Sequence, residues 1–314
     1  MTAALFVITV SSWYLLKKRH QLMAKRSIVV ASVLGLVASL FTAFNGDESA
    51  YCIAKTQPMK LAAIEGLYEG ETNAGLVVFG LHNPTKHVAD AKQGVAMKIE
   101  LPGLLSLLAN RSFGSYVPGM KDLVYGNPER EILGSAQKME RGKKAIAALD
   151  AYRQAKKDGD AGAAETSLAE FNKYKEFLGY GYLQTPEEAV PPVGLNFYAF
   201  HIMVGLGIVF LVAFILFLKA AKNDALEEKT GLLGFGVILY FLAVIAGQCG
   251  WIVAEVGRQP WAIQDLLPVT VARTNLAAGA VQTTFFIFLA LFAALLIAEI
   301  SIMLKQIGNG PEEN

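Results

Sequence analysis

From Gly231 to Ala254 the chain carries no charged residue, a run longer than the roughly 20 residues an α-helix needs to cross the hydrocarbon core of a bilayer. Its end is the informative part. Glu255 closes the run and Arg258 follows on the same helical face, where a guanidinium can neutralise the carboxylate or bind an anionic group beside it. An ionisable group inside a spanning segment is costly and points to function by default. The plain alternative is an interfacial ion pair at a helix mouth. Gln259-Pro260 then stops the helix, because proline lacks an amide hydrogen and disfavours a helical residue before it.

The rest of the composition agrees with a membrane class. Of 314 residues 54% are hydrophobic, and they are bunched into runs, which implies a multi-pass membrane protein. With a net charge of +1 and no basic block outside the membrane flanks, nothing suggests a nucleic acid partner. Cys52 and Cys249 match no metal or redox spacing, and we assign them no role.

Thr2 to Leu16 is an apolar run short of the roughly 20 residues of a full span. No basic stretch precedes it and no cleavage site follows, so it reads as a truncated first span rather than a signal peptide. Lys17-Lys18-Arg19-His20 and Lys25-Arg26 precede the second span, Ser27 to Phe44, and the positive-inside rule places that loop in the cytoplasm. The chain then emerges at Asn45-Gly46-Asp47-Glu48-Ser49-Ala50-Tyr51 and stays polar or mixed until Pro191-Pro192, a large external loop that by its length is functional or disordered. Within it, Glu129 to Lys157 and Ala163 to Leu178 are expected helices, the second capped by Gly179. The stretch Gly70 to His87, rich in Gly, Asn and Pro, is expected to be mobile. Helices on one side and looseness on the other suggest a cap over a membrane site. Three spans follow, Gly194 to Leu218, Gly231 to Val256 and Leu276 to Leu304. Lys219, Lys222 and Lys229 return the intervening loop to the cytoplasm, so Gly257 to Thr274 lies outside and the tail from Lys305 inside. The fold class is therefore an all-α membrane protein with four full transmembrane helices, a partial N-terminal one and a large external loop. Its expected divisions are residues 1–45, 46–192 and 193–314.

Candidate ligands all lie in the outer part of the membrane, on the side of the large loop. His201 and Met203 lie about ten residues, or roughly 15 Å, in from the outer mouth of the third span, and Glu255 is near the outer end of the fourth. Methionine, histidine and glutamate can all bind haem iron, and a Met/His pair gives a low-spin carrier of raised potential. Methionine is equally an apolar filler, His201 a packing residue held by hydrogen bonds, and Trp251 a belt aromatic. His201 and Met203 stand roughly 200° apart around a helix and cannot face one iron.

Gly250-Trp251 with Glu255-x-Gly257-Arg258-Gln259-Pro260-Trp261 resembles a signature of subunit I of the cytochrome bd quinol oxidases. Gly46-Asp47-Glu48-Ser49 with Lys60-Leu61-Ala62-Ala63-Ile64-Glu65 looks like the start of that family's quinol-binding loop, and Leu178-Gly179-Tyr180-Gly181 like its end. Phe200-His201-Ile202-Met203 resembles the segment that carries its methionine haem ligand. The resemblance implies Met203 as an axial ligand of low-spin haem b and Glu255 as that of high-spin haem b. It further implies Lys60 and Glu65 in quinol binding and oxidation, Arg258 paired with a haem propionate or with Glu255, and Trp251 as a packing or electron-transfer residue. The family often has arginine where His201 stands, a charge that is missing here unless imidazolium supplies it.

The resemblance also implies an electrogenic oxidoreductase of the bacterial cytoplasmic membrane, in which electrons pass from quinol, ubiquinol or menaquinol, through the haems b to haem d, where oxygen is reduced to water. It matches the C-terminal part of the subunit, from within its fifth helix onward. The earlier helices carry the histidine ligands of haem d and low-spin haem b, and His20, His82 and His87 stand in loops where they cannot replace them. Expected partners are those missing N-terminal helices, supplied by another polypeptide or lost by truncation, subunit II, a small accessory subunit and membrane lipid. The isolated chain is expected to be inactive. Two rivals are a transporter or channel gated by the Glu255/Arg258 pair, opposed by the absence of an inverted repeat and of broken helices, and a non-catalytic assembly subunit.

Overall fold

The computed structural model describes residues 1–310; residues 311–314, the end of the tail expected inside, lie outside the described residues. In chain order come α1 (Thr2–Leu16), α2 (Gln21–Thr56), α3 (Pro58–Glu65), β1 (Glu71–Thr72), β2 (Leu76–His82), β3 (Val95–Leu101), α4 (Leu104–Asn110), β4 (Tyr116–Val117) and α5 (Met120–Tyr125). They are followed by α6 (Ser135–Asp158), α7 (Ala161–Tyr174), α8 (Val193–Lys222), α9 (Thr230–Glu255), β5 (Trp261–Ile263), β6 (Leu267–Pro268) and α10 (Ala278–Asn309). Helices α2, α8, α9 and α10 are long and apolar enough to cross a membrane, and α1 is a shorter apolar helix. The chain is thus an all-α membrane protein with four spans and a short first one, as its hydropathy implied.

One compact unit comprises residues 1–40, 207–244 and those from 273 onward. Small residues set its helix spacing. A β-carbon on Gly35 would strike the Phe214 ring, and one on Gly236 would strike the Ser12 hydroxyl, so glycine at both sites lets helix axes approach. Thr9 Oγ1 donates to the Gly236 carbonyl at 2.9 Å and accepts from the Tyr240 amide at 3.2 Å. At the other end, Tyr14 donates to the Ile307 carbonyl at 2.8 Å and Arg19 to that of Gly308 at 3.0 Å. These bonds satisfy carbonyls that the last turn of α10 leaves without intrahelical donors. Lys25 pairs with Asp224 at 3.2 Å and Glu227 at 3.0 Å.

The second unit comprises residues 41–206 and 245–272. Here the structure corrects several boundaries. Helix α2 does not end at Phe44 but continues through the acidic stretch to Thr56. Arg111 pairs with Asp47 at 2.6 Å and Glu48 at 2.9 Å, which offsets the acidic stretch, and no breaker occurs until Pro58 restricts Gln57. The stretch Gly70 to His87, expected to be mobile, holds β1 and β2, which pair antiparallel with β4 and β3. Helix α6 begins at Ser135 rather than at Glu129, because Glu131 adopts a left-handed φ of 57° after a 3-10 turn. Gly179 is not a helix cap. Helix α7 ends at Tyr174, and Gly179 sits inside a 3-10 run, where its N–H donates to the Asp265 carbonyl at 3.0 Å and a β-carbon would strike the Asp265 and Leu266 backbone.

The core of this unit fixes α3 against the long helices. Leu61, Ala62 and Ile64 of α3 share one buried cluster with Ala199 of α8 and Val253 of α9, and each buried Leu or Ile contributes about 1.5–3 kcal/mol. Gly66, at φ 63°, then turns the chain away, its N–H returning to the Ala62 and Ala63 carbonyls, a geometry that favours glycine. A second cluster joins Met139, Tyr180, Leu183 and Trp261, tying α6 to the start of β5.

Candidate functional site

Helix α9 ends on the expected pair: Arg258 Nη2 donates to Glu255 Oε2 at 2.5 Å. The Arg258 Nε is buried without a partner among the described residues. The sequence did not reveal that Lys60 lies against the same helix end. Its Nζ donates to the Ala254 carbonyl at 3.4 Å, and its Cε is 3.1 Å from where a β-carbon on Gly257 would sit. Burial, and then the charge of Arg258, hold the Lys60 ammonium below the usual lysine range, against the opposing pull of Glu255. A half-buried cation here complements both the free carbonyls of a helix C-terminus and the Glu255 carboxylate.

Glu65 takes the other face of α3. Far from a solvated charge, it is 3% exposed, and its Oε2 accepts the Val77 N–H at 3.4 Å. Burial pushes its carboxyl up to about 8, opposed by the Val77 bond and by Lys98. Five residues along a helix turn two side chains well apart, so Lys60 and Glu65 do not converge: one meets the end of α9, the other β2. His201 meets the same strand. Its Nε2 lies 3.0 Å from the Val77 carbonyl and its Nδ1 2.7 Å from that of Phe197. Both ring nitrogens thus face backbone carbonyls, and the tautomer decides which of them donates.

Met203 turns instead toward α9, its Sδ 3.1 Å from where a β-carbon on Gly250 would sit. Glycine at that position leaves room for the sulfur. Trp251, 64% exposed, points away from the packed part of the unit, as an aromatic facing lipid or another polypeptide does. For a haem group the donor set fits as one side of a site. A carboxylate stands at the loop-side end of α9 and a thioether about ten residues into the adjacent α8, a glycine clears space beside the thioether, and both His201 nitrogens face carbonyls.

Three further groups escaped the sequence reading because none belongs to a motif. Asn196, fully buried in the first turn of α8, places Oδ1 3.1 Å from the same Gly257 position. Tyr68 and His82 share a 2.9 Å hydrogen bond; burial pushes the phenol up to about 12 and the imidazole down. Lys138 stands over the Tyr180 ring at 5.1 Å, and burial lowers it. Only the alternation of β2, which brings His82 back toward α8, could have signalled one of them.

Four helices long and apolar enough to cross a membrane, with a folded inter-helix segment packed on two of them, define a multi-pass membrane protein. The sequence model of the cytochrome bd terminal oxidase subunit I family matches residues 1–311, and the chain belongs to that family. It is 32% identical over 99% of its length to the cytochrome bd-II ubiquinol oxidase subunit 1 of Escherichia coli K12. It is 26% identical over 100% of its length to the cytochrome bd ubiquinol oxidase subunit 1 of Bacillus subtilis 168. The fold matches that of the bd oxidase from Geobacillus thermodenitrificans with a TM-score of 0.68 at 22% identity, over 99% of this chain and 56% of that one. The chain spans 60% and 55% of the length of the two curated relatives.

Proposed function

We propose that this chain is the quinol-oxidising part of subunit I of a bd-type quinol:oxygen oxidoreductase, working in a bacterial cytoplasmic membrane with the segment 46–192 on the outer face and the C-terminal tail inside. The observation that carries the reading is the position of Lys60: a half-buried ammonium on the loop segment lies one residue from Glu255, at the end of the helix that carries the family's signature. Met203 would hold low-spin haem b and Glu255 high-spin haem b, and the haems, when bound, supply one-electron transfer toward oxygen. The opposing ligands and those of haem d would come from helices of another polypeptide, assembled with subunit II.

Within this chain the work divides by charge. Lys60 offers N–H donors to a quinol oxygen, and its weak bond to Ala254 leaves it free to turn. Glu65 with a pKa of about 8 is matched to proton acceptance near neutral pH, since a base works best when its pKa lies near the operating pH. Arg258 orients the Glu255 carboxylate through their hydrogen bond. In the assembled complex, Lys60→Ala and Glu65→Gln should each slow quinol oxidation, the second by about 10²-fold or more, with the haem difference spectrum unchanged. Parental rates in both, or loss of haem from either, would place quinol oxidation elsewhere.

A further inference from the structure

Across Gly257, two polar groups face each other with complementary needs. Asn196 Nδ2 donates to the Pro192 carbonyl at 2.8 Å, which fixes the amide and leaves Oδ1 buried without a donor among the described residues. An amide oxygen left so is costly. Lys60 is the converse case. Its ammonium has several donors to place, and its bond to Ala254, at 3.4 Å, is long for a charged donor. The position a β-carbon on Gly257 would take is 3.1 Å from Asn196 Oδ1 and 3.1 Å from Lys60 Cε, which bounds their separation at twice that distance. Rotation about the Cδ–Cε bond of Lys60 sweeps Nζ around that Cε while the rest of the side chain stays in place. Any side chain at residue 257 would occupy the gap.

We propose that Asn196 is a positioning residue for Lys60: its amide oxygen accepts from the ammonium and aims it at the oxygen of a bound quinol. A neutral acceptor suits that task, since it orients the cation without neutralising it as a carboxylate would. The inference rests on Lys60 being a quinol-binding residue.

A double-mutant cycle in the assembled complex tests it, with a short-chain ubiquinol as substrate and the haem difference spectrum as the measure of assembly. Asn196→Leu, close in volume, should raise KM by about tenfold, the scale of one charged hydrogen bond, with kcat and haem content held. On a Lys60→Ala background the same change should add nothing. Asn196→Ser, which withdraws the oxygen without setting an apolar branch against Gly257, should behave as Asn196→Leu does. A parental KM in the Asn196 variants beside an impaired Lys60→Ala overturns the role of Asn196 and leaves the quinol site standing. A parental Lys60→Ala overturns the quinol site itself. Additive effects in the double variant, or loss of haem from both Asn196 variants while Lys60→Ala assembles, would make Asn196 a packing residue and sink the proposal.

Discussion

Glu65 and His201, from α3 and α8, hold the same strand residue: the Val77 N–H donates to Glu65 Oε2 and the Val77 carbonyl faces His201 Nε2. The first residues of the β2–β3 hairpin are thereby fastened both to the loop helix and to a membrane helix. A residue proposed to take up protons and a residue two positions from a proposed haem ligand are thus joined through the backbone of one residue, across two adjacent peptide units.

If His201 anchors the hairpin, His201→Leu should release it. Losing one net hydrogen bond of about 1 kcal/mol should speed amide exchange in residues 76–82 about fivefold, while exchange in α6 stays as it was. Uniform exchange across both regions would show that the His201–Val77 contact contributes nothing to holding β2.

Glu65 gives stability a pH dependence with a definite sign. Its folded pKa of about 8 lies above the ordinary carboxylate value of 4.5, so between those pH values the folded chain keeps a proton that the unfolded chain has lost. Its contribution is full below about 4.5 and falls as pH rises toward 8, by about 1.4 kcal/mol per unit at most. Glu65→Gln should flatten the decline of melting temperature between pH 5 and 8, so the variant gains on the parent as pH rises. Parallel curves for the two proteins would count against a buried, protonated Glu65.

The clearance beside Met203 can be tested without touching the sulfur. Gly250→Val sets a branched side chain where Met203 Sδ now has only 3.1 Å to spare, and overpacking of this kind typically costs about 1–3 kcal/mol. In the assembled complex it should shift or weaken the low-spin haem band, as Met203→Leu should remove it. Gly231→Ala, where nothing lies within 4 Å of the new β-carbon, is the control. An unaltered band in both Gly250→Val and Met203→Leu would reject Met203 as a ligand.

Gly179→Ala should loosen the contact between the 3-10 run after α7 and the 257–274 segment, because its methyl meets the Asp265 and Leu266 backbone rather than a side chain that could yield. We expect a loss of about 1–3 kcal/mol, seen as faster proteolysis of residues 175–182. Gly159→Ala, which has open space but a left-handed φ of 75°, should leave that segment untouched.

The spans were legible because each is a long uncharged run, and helices closed on their own hydrogen bonds are what such runs must form in lipid. The Glu255/Arg258 pair was legible because three residues of spacing already places both groups on one helix face. The hairpin was not: its two seven-residue strands carry strand-forming Val, Phe and Ile, but the Gly, Asn and Pro around them made the stretch read as mobile. Gly179 misled because a glycine after a helical pattern is usually a cap, and its true constraint is a backbone from elsewhere in the chain. The approach of Lys60 to Gly257 and Asn196 depends on how α3 packs between α8 and α9, which no local pattern encodes.

The uninterrupted length of α2 works as a ruler. At 36 residues it is about 54 Å long, well beyond the roughly 30 Å of a hydrocarbon core. Its composition changes from apolar at Phe41 and Phe44 to charged at Asp47 and Glu48 without a break in the helix. One continuous helix therefore passes from an apolar to a charged stretch, and each residue step corresponds to about 1.5 Å along its axis. Labels walked along its exposed face, from Val37 through Phe44 to Glu48, would convert polarity directly into height, and so locate α3, which begins two residues beyond the rod, relative to the bilayer surface.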